Sequence, residues 1–130
     1  MAEPDSAGER GSAPAEFILV GLLLTALTLA VLQFGLAMYA RNIVQDAAVE
    51  AAFHAALADT SDAEAEHRAH EVVTAALGHD TIEWALVTRM SMNGVDMVKV
   101  DLGATYPLVG FFGISAGSVV TAHAPVESAG

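Results

Sequence analysis

The sequence predicts an α+β protein built on one long N-terminal helix, and three observations lead to this prediction. Twenty-four consecutive residues, from Phe17 to Ala40, contain no charged side chain. Helical periodicity continues through two further segments, and an alternation of apolar and polar residues replaces it after Gly78. We therefore expect a long helix that crosses a membrane and continues outside it, a second amphipathic helix, and a small antiparallel three-stranded sheet.

The apolar run is long enough to span a bilayer. At a rise of ~1.5 Å per residue it reaches ~36 Å, whereas a hydrocarbon core is ~30 Å thick. Its only polar residues are Thr25, Thr28 and Gln33, and a helix satisfies its own backbone hydrogen bonds in lipid. Arg10 and Arg41 flank the run on opposite sides, so the positive-inside bias gives no orientation.

A cleaved secretory signal is the alternative explanation of this run. Gly35-Leu36-Ala37 imitates the small-residue pattern of a signal cleavage site. However, the leader is acidic rather than basic, and the apolar run is longer than a typical signal core. These two features favour a permanent membrane helix.

The helical pattern does not stop at the end of the apolar run. It predicts one continuous helix from about Pro14 to Ala58, because no glycine or proline interrupts the segment after the run. Small side chains at Ala47, Ala51 and Ala55 would permit close approach of a neighbouring helix. Alanine also simply favours helix, which explains most of this pattern.

A second helix is predicted over residues 62–77. Ser61 and Glu64 form a capping box at its start, and Gly78 is a natural stop. Its apolar stripe consists of Ala65, Ala69, Val72, Val73 and Ala76.

Three strands are predicted after the second helix. The first two span residues 81–90 and 95–105, and Asn93-Gly94 between them is a strong hairpin signal. The alternation places Ile82, Trp84 and Leu86 on one face of the first strand. A third strand is predicted over residues 118–124.

The segment from Pro107 to Ile114 is apolar and interrupted by glycines. It is either a buried loop or a segment that dips into a membrane surface or a partner. The pair Phe111-Phe112 within it is interpreted as part of the core, with an exposed interface patch as the alternative.

Composition excludes several classes of function. The formal net charge is −11, with four acids and one base in residues 1–16 and twelve acids and four bases in residues 41–130. Nucleic acid is therefore not expected as a partner, because that role needs a basic surface. The chain has no cysteine, which removes disulfides, thiolate metal sites and thiol nucleophiles.

The only cluster that suggests chemistry lies on the second helix. Glu64, His67, His70 and Glu71 recur at three- and four-residue spacing, so two imidazoles and a carboxylate could face one metal ion. A polar outward face of an amphipathic helix is the favoured interpretation, because no remote residues complete a zinc pattern. Phosphate-binding and nucleophile motifs are also missing, so we expect no enzyme, metal or cofactor.

The N-terminal third resembles a known family. Arg10-Gly11-Ser12-Ala13-Pro14-Ala15-Glu16-Phe17 resembles the prepilin processing site, in which a leader peptidase cuts after glycine and glutamate follows five residues into the mature chain. Residues 34–42 (Phe-Gly-Leu-Ala-Met-Tyr-Ala-Arg-Asn) and Asp46-Ala47-Ala48 resemble the TadE-like proteins of the tight-adherence, Flp-type pilus system. The choice between a TadE-like and a TadF-like subgroup stays open.

The resemblance implies roles for four residues. Gly11 and Ser12 would flank the cleaved bond, Phe17 would form part of the recognition site, and Glu16 would act in assembly. Cleavage would free the amine of Ser12, with which Glu16 of a neighbouring subunit would pair. An unpaired carboxylate in lipid is costly, so this pairing would fix the axial register of packed helices.

The resemblance also implies an organisation and a function. Residues 1–11 would be a prepilin-type leader, residues 12–40 the transmembrane helix with the processing motif, and residues 41–130 an extracytoplasmic α+β domain. The chain would be a single-pass protein of the bacterial inner membrane with its N-terminus inside, and it would either stay there or enter an extracellular pilus. As a minor pilin or pseudopilin, it would support pilus assembly in adhesion or secretion.

The expected partners are the prepilin peptidase, other pilins or pseudopilins, the pilus assembly platform and membrane lipid. Two alternatives are retained. One is a single-pass anchor that carries a small extracytoplasmic binding domain, neither processed nor part of a filament. The other is an enzyme or metal-binding protein that uses the His67/His70 face.

Overall fold

The fold is α+β, with two helices followed by an antiparallel sheet, as the sequence predicts. A computed structural model describes residues 11–107 and 115–127. Phe111, Phe112 and most of the apolar segment around them lie outside the described residues. The elements are α1 (Ser12–Ala56), α2 (Asp62–Leu77), β1 (Ile82–Met92), β2 (Val95–Pro107) and β3 (Ser115–Pro125).

The chain divides into two compact units, one ending at Gly35 and one beginning at Leu36. In the first unit, the described residues are helical from Ser12 onward, and their large apolar side chains are exposed. The hydroxyls of Thr25 and Thr28 donate to the carbonyl oxygens of Gly21 and Leu24, each at 2.8 Å. Because these hydroxyls find partners within the helix, they do not interrupt its apolar character.

This part of α1 is long and apolar enough to cross a membrane, and its most apolar stretch buries no residue within the protein. The helix begins at Ser12 and ends at Ala56, two residues before each predicted boundary. Helix ends commonly differ by this amount between sequence patterns and observed hydrogen bonding.

The second unit packs the rest of α1, α2 and the sheet around one hydrophobic core. In α1, the small residues Ala47, Ala51 and Ala55 are fully buried. They therefore make a close-packed face, as their size predicts, but this face packs against the core of its own chain. The core is built largely from alanine and valine.

The ends of α2 have the predicted caps. Ser61 accepts a hydrogen bond from the backbone N–H of Glu64, and the Glu64 carboxylate accepts from the backbone N–H of Ser61 at 2.8 Å. Gly78 ends the helix in the left-handed conformation, at φ 76°. The buried stripe consists of Ala65, Ala69 and Val73, with Val72 half-buried, whereas Ala76 is exposed and not part of it.

The sheet has the order β1-β2-β3, and both pairings are antiparallel. Asn93 and Gly94 form the predicted two-residue hairpin turn, and both have positive φ, 54° and 80°. That combination is the one a tight hairpin requires, because it matches the right-handed twist of the strands. All three strands are longer than predicted, by one, two and four residues, and the differences lie at their ends.

The predicted alternation in β1 is wrong at its start. The pairing shifts between Ile82 and Trp84, which leaves Glu83 as an extra residue. Such a bulge moves the side chains that follow to the opposite face. Ile82 therefore lies in the core, while Trp84 and Leu86 lie on the other face and are 45% and 53% exposed.

Candidate processing and assembly site

The N-terminal end of α1 brings together two of the predicted site residues. The helix begins at Ser12, directly after Gly11. The Ser12 Oγ donates a hydrogen bond to Oε1 of Glu16 at 3.0 Å. Residues four apart lie above one another on a helix, so the hydroxyl and the carboxylate share one face of the first turns.

Phe17 extends this site toward the apolar run. Its side chain is 80% exposed, and it is the first of the large apolar residues that follow the Glu16 carboxylate. Gly11 is exposed, and no other part of the described chain crowds the position where a side chain would begin. The site is thus an accessible glycine, a hydroxyl–carboxylate pair and an exposed aromatic ring, placed in order along the first turns of α1.

The His67/His70 face of α2 does not converge on one point. His67 lies 3.7 Å from Glu71, His70 lies 2.5 Å from Asp80, and Glu64 is held by Ser61 at the helix start. An open surface depression follows this face. Among the described residues, no three metal-binding side chains are close enough to hold one ion.

Hydrogen bonds hold the pKa of Glu64 below its usual range. The backbone N–H of Ser61 makes the largest contribution, and the Ser61 hydroxyl adds to it. Both stabilise the carboxylate form over the neutral acid. The ionised Glu64 is therefore a capping group of α2, and its carboxylate is engaged by Ser61.

A second charged cluster lies on the sheet face opposite the core. Asp101 is almost buried there and is bound by Lys99 Nζ at 2.7 Å and by the Thr121 hydroxyl at 2.6 Å. Burial alone would raise the pKa of Asp101, but the two hydrogen bonds and the charge of Lys99 hold it below its ordinary value. This carboxylate is thus satisfied within the protein and ties β2 to β3.

Sequence reasoning missed a residue that joins three elements of the second unit. Arg89 lies on β1, and its Nη2 donates to the carbonyl oxygen of Ala55 at 3.2 Å and to Asp62 Oδ1 at 2.9 Å. It thereby satisfies a carbonyl at the C-terminal end of α1 and holds the start of α2. The sequence does offer one signal for such a contact, because Arg89 alternates in register with the apolar Ala85 and Val87.

An ion pair joins the two helices. Arg68 Nε and Nη2 donate to Oε1 of Glu50 at 2.8 and 2.6 Å. The Glu50 carboxylate, and to a smaller degree Glu71, raises the pKa of Arg68 above its usual range. Both side chains of this pair are nearly half exposed, so we expect a small contribution to stability.

The comparison with protein families gives one match. The model of the TadE-like protein family matches residues 11–52, about a third of the chain. The match begins at Gly11, contains every residue of the candidate site and confirms the family expected from the sequence over this segment. Comparisons with curated proteins and with solved structures gave no match.

Proposed function

We propose that this TadE-like chain is a minor-pilin-like or pseudopilin-like membrane protein that supports assembly of a tight-adherence, Flp-type pilus. The family associates the chain with the tight-adherence pilus system in general. The observation that carries the finer proposal is the position of the match, which starts at the glycine where a prepilin peptidase would cut. The chain would act as a structural subunit and not as a catalyst.

The geometry of the first helical turns supports a role for Glu16. Its carboxylate lies within hydrogen-bond distance of Ser12, the residue that would become the new N-terminus. Cleavage of the Gly11–Ser12 bond would add a positive amine at that position. In a filament, Glu16 of one subunit would then pair with the amine of its neighbour, because a carboxylate in lipid needs a partner of opposite charge.

The proposed topology follows from the same site. The leader would lie in the cytoplasm, the apolar part of α1 would cross the inner membrane, and the acidic α+β domain would lie outside. One helix of the described chain is long and apolar enough for this arrangement. Partners would be the peptidase, other pilins or pseudopilins, the assembly platform and lipid.

The decisive experiment is the N-terminal sequence and intact mass of the protein recovered from its native membranes. A chain that begins at Ser12 is the expected result. The variant Gly11→Leu should block cleavage, whereas Gly8→Leu, a matched change within the leader, should leave it intact. A wild-type chain that retains its leader would overturn the processing step and leave a single-pass anchor with a small extracytoplasmic domain.

The role of Glu16 needs a separate test. In Glu16→Ala, we expect normal cleavage but loss of co-purification with other pilus subunits, since the carboxylate partner of the neighbouring amine is gone. Ser12→Ala is the control, because it removes the hydroxyl and keeps the carboxylate. If Glu16→Ala co-assembles as well as wild type, the pairing role is wrong.

A further inference from the structure

Among the described residues, the core covers one face of the sheet and the other face is open. The inward side chains of β2 and β3 are buried in the core. On the other face, Trp84 of β1 lies opposite Gly103 of β2, which lies opposite Val119 of β3. Trp84, Leu86 and Val119 are 45%, 53% and 60% exposed. We call Glu83, Trp84, Leu86, Gly103 and Val119 the Trp84 surface.

The indole of Trp84 lies against the backbone of the central strand. A Cβ atom at Gly103 would overlap the five-membered ring of the indole. Gly103 therefore provides the space in which the ring rests on the sheet. An aromatic ring supported on one side and nearly half exposed offers a platform on which a planar group can stack.

The Trp84 surface contains one charged side chain, the acidic Glu83, and the neutralised Lys99–Asp101 ion pair lies on the same sheet face. The Glu83 carboxylate lies at the rim of the platform, where its Oε1 accepts a hydrogen bond from Thr105 at 2.6 Å. The three basic side chains after Arg41 are Arg68, Arg89 and Lys99, and each is already in an ion pair. Because residues 41–130 contain twelve acids and four bases, the charge surplus of this domain is negative.

Charge complementarity selects among the possible occupants. A second copy of the chain has the same acidic surplus and would be repelled, as would an anionic lipid surface. A guanidinium group is planar and positive, stacks on aromatic rings and pairs with carboxylates. We propose that the Trp84 surface is a docking site for a basic, arginine-bearing segment of a partner protein.

This surface is separate from the proposed pilin-like processing. It lies entirely outside residues 11–52, which the family model matches. Cleavage at Gly11 and binding at Trp84 can therefore succeed or fail independently of each other.

The experiment uses the fact that Trp84 is the sole tryptophan of the chain. The full-length protein in zwitterionic detergent micelles is titrated with capped tri-arginine while tryptophan emission is recorded. Capped tri-lysine matches its charge without the planar group, and capped tri-citrulline matches its shape without the charge. We expect a saturable change in emission with tri-arginine, at least threefold weaker binding of tri-lysine, and no change with tri-citrulline.

Variants are compared by the anisotropy of a dye-labelled tri-arginine peptide. Trp84→Ala should weaken binding about tenfold, within the range of a cation–π contact, and Glu83→Gln about threefold. Phe53→Ser is the matched control, because Phe53 is an exposed aromatic on α1, 58% accessible and outside the surface. It should bind as wild type does. Should circular dichroism show that Trp84→Ala is unfolded, Gly103→Ala displaces the indole without removing it and should weaken binding similarly.

Three outcomes would overturn the proposal. One is an unchanged tryptophan emission at millimolar tri-arginine. Another is equal binding of tri-lysine and tri-arginine that Trp84→Ala does not reduce, which would indicate general attraction to an acidic domain. The third is a change in emission with maltotriose but not with tri-arginine, which would assign the platform to a neutral sugar.

Discussion

The two parts of α1 meet opposite demands with the same backbone conformation. Residues 12–35 expose large side chains such as Leu22 and Leu27, at 65% and 62%. Residues 44–56 bury small ones, including Ala48 and Ala52, which have no exposed surface. Side-chain size, rather than helix propensity, therefore distinguishes a helical segment suited to lipid from one suited to close packing in a protein core.

The clearest test of this difference is to make the same substitution in both parts of α1. Ala51→Leu inserts three carbons into a fully buried position, so we expect a loss of about 1 to 3 kcal/mol in the free energy of unfolding. Ala26→Leu enlarges an exposed position in the apolar run and should cost nothing measurable. Thermal unfolding of the two full-length variants in micelles, followed by circular dichroism, makes the comparison.

Equal stability of Ala51→Leu and wild type would contradict the packing described for the second unit. A loss in Ala26→Leu comparable with that in Ala51→Leu would show instead that the apolar run has a tightly packed partner in the folded protein. Either result would mean that the two parts of α1 do not differ in how tightly their side chains are packed.

The next largest effect is expected at the C-terminal end of α1. Arg89→Met removes hydrogen bonds to the carbonyl of Ala55 and to Asp62, and we expect a loss of about 1 to 2 kcal/mol. Arg68→Met is the matched control, because Arg68 pairs only with exposed carboxylates and should cost under about 1 kcal/mol. Urea unfolding gives both values, and the reverse order would refute the joining role of Arg89.

Much of this fold could be predicted because its signals are local. The capping box at Ser61, the stop at Gly78 and the turn at Asn93-Gly94 depend on residues within one helical or hairpin turn. The bulge at Glu83 could not be predicted in this way, because it arises from pairing with β2 rather than from the β1 sequence. The one extra residue of the bulge places Trp84 on the sheet face opposite the one that the alternation predicts.

The candidate site was predicted from resemblance to a family rather than from local structural signals. Gly11, Ser12, Glu16 and Phe17 were named from resemblance to a processing motif, and the structure adds only the Ser12–Glu16 hydrogen bond. The contacts of Arg89 were missed because Ala55 is 34 residues away in sequence. Contacts of such separation depend on how the elements pack, which periodicity does not report.

A smaller effect, with a pH signature, is expected at the start of α2. Ser61→Ala removes the acceptor for the N–H of Glu64 and should cost about 1 kcal/mol at neutral pH. The lowered pKa of Glu64 stabilises the fold fully above the ordinary glutamate pKa, and this contribution disappears as pH falls through the lowered value. Ser61→Ala keeps the backbone N–H and loses only the smaller contribution of the hydroxyl, so the difference in stability between wild type and variant should shrink slightly as pH falls below the ordinary glutamate pKa.

Urea unfolding of both proteins at several pH values checks this expectation. Glu64→Gln removes the titrating carboxylate, so its stability should lose this part of the acid dependence. A difference between wild type and Ser61→Ala that grows at low pH would contradict the capping role assigned to the ionised Glu64.

The smallest expected effect concerns the apolar run itself. The Thr28 hydroxyl donates to the carbonyl of Leu24 within the same helix, so Thr28→Val should change stability by less than about 0.5 kcal/mol, because the backbone hydrogen bonds remain. The measurement is resistance of the micelle-bound protein to thermal unfolding, with Thr25→Val as the matched variant. A clear loss in only one of them would mean that its hydroxyl bonds across to another helix in the membrane, since an intrahelical bond is common to both. The apolar part of α1 would then bind a specific partner helix on one face. The two parts of α1 would both be packed, the apolar part against another helix and the alanine-rich part against the core of its own chain.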